Sequence, residues 1–165
     1  MIRKGIWVLL ATSLVLTGCS DESEKAQKST DELAVSKETV VISLNAIQQE
    51  ESAMQQQFDE ALVADEELTH FKDGTATVFE NIATREEEIS KIEQNLKKMK
   101  ASVTELTNLE HESIPTEEMD NLTRAAQSFI SAVEAFLPAY EAQLQEEEKT
   151  FRSFVKYNLY FSRIS

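Results

Sequence analysis

Ile82-Ala83-Thr84-Arg85-Glu86-Glu87-Glu88-Ile89-Ser90-Lys91-Ile92-Glu93-Gln94-Asn95-Leu96-Lys97-Lys98-Met99-Lys100-Ala101-Ser102-Val103-Thr104-Glu105-Leu106 is the stretch that decides the fold class. Ile82, Ile89, Ile92, Leu96, Met99, Val103 and Leu106 fall on the a and d positions of a heptad, with Arg85 the one large polar intruder. Such spacing lines a single stripe of a helix and leaves the other faces, here Glu, Lys and Gln, to solvent. Thr77-Val78-Phe79-Glu80 in front of it has capping-box spacing, which satisfies orphan amides at a helix start.

Working towards the N-terminus, Leu33, Val40, Ile47, Met54, Ala61 and Leu68 repeat every seven residues, joined by Leu44, Phe58 and Leu62 on neighbouring rows. One long helix is expected, starting at the Ser29-Thr30-Asp31-Glu32 capping box and ending near His70-Phe71-Lys72, with Gly74 as its C′ residue. Working towards the C-terminus, the polar run 108–113 and then Ile114-Pro115-Thr116 break the pattern, and Glu117 and Glu118 suit the first turn of a new helix. Met119, Leu122, Ala126, Phe129, Val133, Phe136 and Tyr140 give that third helix its stripe, with a kink expected at Pro138 because the pattern resumes at Leu144, Phe151 and Phe154. Helices of about 40, 32 and 40 residues would each run about 50–60 Å. Short connections make them antiparallel neighbours, so the expected fold is all-α, an elongated antiparallel three-helix coiled-coil-like bundle over 29–156.

Composition removes several function classes. Thirty Asp or Glu against 16 Lys or Arg give a formal net charge of −14, the wrong sign for a nucleic-acid surface. Three Gly, two Pro and one Cys exclude a collagen-like chain, a disulfide scaffold and a Cys-rich zinc module.

The first residues carry an address. Met1-Ile2-Arg3-Lys4 is cationic, and the uncharged run 6–16 is too short to span a bilayer comfortably, which takes about 20 residues. Together they follow the grammar of a secretory signal peptide, over residues 1–18. Leu16-Thr17-Gly18-Cys19, just after the apolar run, resembles the lipobox of bacterial lipoproteins. The resemblance implies that Cys19 carries a diacylglyceryl group and becomes the first residue of the exported protein. It also accounts for an odd cysteine in an exported chain, where thiols usually pair. Acyl chains contribute about 0.8 kcal/mol per buried methylene, so two or more hold a protein at the membrane without a transmembrane helix. Without residues 1–18 the chain has 14 Lys or Arg against 30 acids, a charge of −16. Residues 19–28, with no large apolar side chain, read as a polar tether.

A wider resemblance follows. The stretches 44–62 and 79–86, then Phe136-Leu137-Pro138-Ala139-Tyr140 and Glu148-Lys149-Thr150-Phe151, resemble the YkyA-like cell-wall-binding lipoproteins of Gram-positive bacteria. The likeness covers about residues 19–156 and implies a helical lipoprotein on the outer face of the cytoplasmic membrane, with wall binding and no catalytic residues. Members of that family continue with another charged helical segment. Here the chain closes on Phe154-Val155-Lys156-Tyr157-Asn158-Leu159-Tyr160-Phe161-Ser162-Arg163-Ile164-Ser165, so 157–165 read as an aromatic and basic tail, with a truncated C-terminus in view.

Chemistry-bearing patterns are few. Glu67 and His70 stand at Glu-x-x-His spacing, which on a helix puts two ligands on one face. Carboxylate-bridged di-metal bundles need a second copy plus two further glutamates, and His111 has Asn108 three residues before it. Both histidines are therefore read as ordinary polar residues, with no metal and no cofactor expected. No Gly-x-Ser-x-Gly or glycine-rich phosphate loop occurs, and no enzyme activity is expected. Residues 149–165 hold Lys149, Arg152, Lys156 and Arg163 without an acid. Two readings stand: a patch for an anionic partner, or a helix end whose cations complement the dipole while its aromatics cover the bundle. An acidic rod is repelled by anionic wall polymers within a screening length of about 10 Å, so wall contact has to use that tail, bridging divalent cations or uncharged glycan. The functional expectation is a membrane-anchored, non-enzymatic helical lipoprotein that contacts peptidoglycan or wall polymer. The alternative is an envelope adaptor that docks other proteins through its coiled-coil helix faces.

Overall fold

The computed structural model describes residues 20–65, 67–109 and 116–161, with side chains over 22–65, 67–109 and 117–153. Among the described residues the chain is helical, without strands. Three long helices carry the architecture: α1 (Ser20–Ala64), α3 (Thr77–Thr107) and α4 (Thr116–Phe161), with a short α2 (Thr69–Asp73) between the first two.

α1 and α3 pack closely, and α1 is built to allow it. Its apolar row Ala26, Leu33, Val40 and Ile47 is buried, and beside it runs a second heptad row of buried serines, Ser29, Ser36 and Ser43. A hydroxymethyl group at the seam lets two backbones approach more closely than leucine would. α3 answers with Asn81 and Ser102, also buried, on a row that includes Glu88. Ser29 Oγ donates to Glu105 at 2.6 Å, and Asn81 Nδ2 donates to the Glu50 carbonyl at 2.8 Å and to its carboxylate at 2.9 Å. The α3 partner number falls as the α1 number rises, so the two helices run in opposite directions.

The heptad of α3 is the centre of the molecule. Ile82, Ile89, Ile92, Leu96, Met99, Val103 and Leu106 are all 5 % exposed or less. Removing one aliphatic side chain of this size from water stabilises by about 1.5–3 kcal/mol. All of them but Ile82 share one cluster with the α1 row and with Ala126, Ile130, Val133, Leu137, Tyr140 and Leu144 of α4.

Several expectations are corrected. Residues 20–28 are the first turns of α1, not an extended tether, and Ala26 packs into the core at 8 % exposure. The segment lacks Gly and Pro, and Asp21, Glu22 and Glu24 are acids where the positive end of the helix dipole favours them. Ser29 consequently caps nothing, since its hydroxyl is spent on Glu105. α1 stops at Ala64, not near residue 72. Asp65 explains the break: its carboxylate accepts the His70 amide at 2.6 Å and so serves the start of α2. Leu68 pays locally with a left-handed φ of 55°, unusual for a residue with a side chain. Gly74 is a helix-end residue as expected, with φ 80°, but it closes α2. The Thr77–Glu80 capping box does not form: Ala76 is the N-cap, and the Thr77 hydroxyl donates to the Gln57 carbonyl at 3.4 Å. In α4 the buried stripe runs through Ile130 and Leu137, leaving Phe136 at 41 % exposure and stacked on Tyr140 at 5.1 Å. The helix continues through Pro138.

Candidate functional site

Two regions hold side chains that the helical seams alone do not require. One is a buried charge on α3. The other is the corner where α1, α2, α3 and the end of α4 meet.

Arg85 occupies a heptad position and is 1 % exposed. Its guanidinium donates to Glu147 Oε2 at 2.5 Å and to the Tyr140 hydroxyl at 3.2 Å, while Nε has no partner. Burial works against the Arg85 charge, and the bonds to Glu147 and Tyr140 outweigh it, so its pKa lies above the ordinary value. Tyr140 is pushed up to about 12 by burial, with the nearby Arg85 opposing the shift and Glu51 adding to it. The group is a fixed charge clamp between α3 and α4. It ties α3 to α4 at one point along their length.

The corner is aromatic. Phe71, Ala76, Val78 and Phe79 are buried there, with Met54, Phe58, Leu62 and Leu68 packed around them. Phe151 of α4 closes it, stacked on Phe58 at 5.5 Å and edge-on to Phe79 at 6.3 Å. Arg152 lies over the Phe79 ring at 4.9 Å and pairs with Glu148 at 2.7 Å. A Cβ built on Gly74 would stand 3.2 Å from the Arg152 guanidinium, so that cation also fills the space above the glycine. Lys149 pairs with Glu146 at 3.2 Å. Two of the four cations assigned to an anionic-partner patch are thus paired with glutamates of α4. The side chains of Lys156 and Arg163 lie outside the described residues.

Glu67 and His70 do not share a helical face, because Leu68 between them is left-handed and α2 begins at Thr69. His70 is exposed, its Nδ1 is 2.9 Å from the Thr75 hydroxyl, and Asp73 accepts that hydroxyl at 2.6 Å. His111, Cys19 and the lipobox residues Leu16, Thr17 and Gly18 lie outside the described residues. Among the described residues no group of three or more His, Cys, Asp or Glu side chains is placed to hold a metal ion. An open furrow of about 330 Å³ between α3 and α4 is lined by Glu86, Glu93 and Glu141 together with Ser90 and Gln145. No described helix is long and apolar enough to cross a membrane.

Arg85 was legible as an intruder in a heptad, but its partners were not, since Glu147 and Tyr140 lie on α4 at a separation that no local pattern announces. The serine row had a readable signal in its seven-residue spacing. The α1 face bearing Val35 at 64 % and Ile42 at 59 % exposure is a further feature that the core-facing pattern conceals. No family model, curated protein or solved structure matches the chain.

Proposed function

We propose that the protein is a membrane-anchored, non-enzymatic lipoprotein of the cell envelope, an elongated antiparallel three-helix coiled-coil-like bundle that contacts the cell wall. The carrying observation is the sequence Leu16-Thr17-Gly18-Cys19 behind a cationic start and an eleven-residue apolar run. The helix that begins at Ser20, directly after the anchor cysteine, supports a rod joined to its lipid without a long spacer. The pairing of Lys149 and Arg152 with glutamates turns wall contact away from a simple cationic patch, towards uncharged glycan or bridging cations.

Retention on purified peptidoglycan sacculi tests the wall contact. The protein should be held above a charge-matched helical control, and equal recovery of the two would overturn that half of the reading. A second reading, an adaptor that docks envelope proteins through its helix faces, is favoured by the exposure of Val35 and Ile42.

A further inference from the structure

α1 carries a second row at alternating four- and three-residue steps, beside its buried face: Val35, Ile42 and Gln49 are exposed, and Thr39, Ala46 and Ala53 between them are half-buried. Over these 19 residues the row contains no charge, although 46 of the chain's 165 residues are charged. Val35 and Ile42 stand largely in solvent at 64 % and 59 % exposure. An uncharged 3-4 row on the outside of a helix is the pattern of a second seam.

The row is complementary to itself when reversed. About a point beside residue 44, Val35 meets Ala53, Thr39 meets Gln49 and Ile42 meets Ala46, large against small at both apolar steps. One step beyond the row on either side, exposed Glu32 comes opposite exposed Gln56, and one step further exposed Lys28 meets exposed Glu60. A parallel arrangement sets Lys28 on Lys28, Glu60 on Glu60, and alanine on alanine.

We propose that two copies of the chain associate through this face, α1 against α1, antiparallel about a two-fold axis beside residue 44. The contact is isologous, so every pair occurs twice. From Lys28 to Glu60 it runs about 48 Å at 1.5 Å per residue. Each Ser20 lies about 36 Å from the axis, so the two N-termini are about 72 Å apart. Lipid anchors at both ends make the paired rods lie along the membrane. The association rests on α1 alone and stands or falls independently of wall contact.

The test is photo-crosslinking of the full chain with p-benzoylphenylalanine at position 35, in the cells that express it. A band of twice the chain's mass is expected, with the crosslink mapped to residues around Ala53 of the second copy. Ile42→Glu should reduce that band about tenfold, the change that 1.4 kcal/mol of lost association energy produces. Lys28→Glu should reduce it several-fold, and the double change Lys28→Glu with Glu60→Lys should restore it. The restoration keeps the test decisive even where Ile42→Glu disturbs folding. Absence of the band, a crosslink onto residues near Val35 of the second copy, or a crosslink onto a different protein would each overturn the proposal.

Discussion

Replacing Glu147 by Gln and Arg85 by Met should have unequal effects, although the two residues form one ion pair. Arg85 is 1 % exposed, whereas the Glu147 side chain keeps about a quarter of its surface in water. Glu147→Gln removes the carboxylate bonded to a buried guanidinium whose Nε is already unpartnered. Breaking a buried pair in this way costs about 3–5 kcal/mol when both groups are fully enclosed. Water reaches Glu147, so about 2–3 kcal/mol is expected here. Arg85→Met removes the buried charge itself. Glu147 is then free to turn outward while it keeps the Gln143 amide at 2.8 Å, and the Tyr140 hydroxyl retains Glu51 as a neighbour. That change should cost less than about 1 kcal/mol, because apolar replacements of buried ions are often neutral or stabilising. For a chain of this size 1 kcal/mol moves Tm by about 2–4 °C, so Glu147→Gln should lower Tm by about 4–12 °C and Arg85→Met by less than about 4 °C. Thermal melts followed by far-UV circular dichroism read both. Equal losses, or a Glu147→Gln chain that melts with the parent, would refute the assignment of Arg85 as an enclosed charge held by Glu147.

Three more expectations follow from the corner and the α1–α3 seam. Gly74→Ala should destabilise by about 1–2 kcal/mol, since φ is 80° and the new methyl meets Arg152 at 3.2 Å; in an Arg152→Ala background the steric share of that loss should disappear from the denaturant midpoint. Ser102→Ala should be neutral or raise Tm, because the Ser102 hydroxyl is buried without a partner, and a drop beyond about 1 kcal/mol would show a bond that this geometry excludes. The Asp73 carboxyl is held below its ordinary pKa by the Thr75 hydroxyl, and that of Asp65 by the amides of His70 and Thr69 against an opposing desolvation. A lowered folded-state pKa stabilises above the unfolded value near 4 and is lost as pH falls through the folded value, so amide protection factors, corrected for the intrinsic exchange rate at each pH, should fall selectively in 65–76 at acid pH, and Asp73→Asn should remove part of that dependence.

The three long helices were legible because burial repeats: Leu33, Val40 and Ile47, and the seven α3 residues from Ile82 to Leu106, are where the seven-residue pattern puts them. Features set by tertiary context were not legible. Phe136 is as apolar as Leu137, and only the position of α3 selects which of them is covered. Ser29 fits a capping box equally well as an interior seam residue, and Glu105, 76 residues away, decides between the two. The break after Ala64 contains neither Gly nor Pro, and it follows from one carboxylate, Asp65, preferring the amide of His70 to a place inside α1. In the basic tail, the count of cations was readable, whereas their pairing with Glu146 and Glu148 depends on the helix extending through both.

The most direct test of the central claim, a helical rod held at the membrane by a lipid on its first residue, is intact-mass and N-terminal fragment mass spectrometry of the protein recovered from its native membrane fraction. A chain beginning at Cys19 and bearing a thioether-linked diacylglyceryl group is the expected result. A chain that begins elsewhere, or that retains Met1 and carries an unmodified Cys19 thiol, would contradict it.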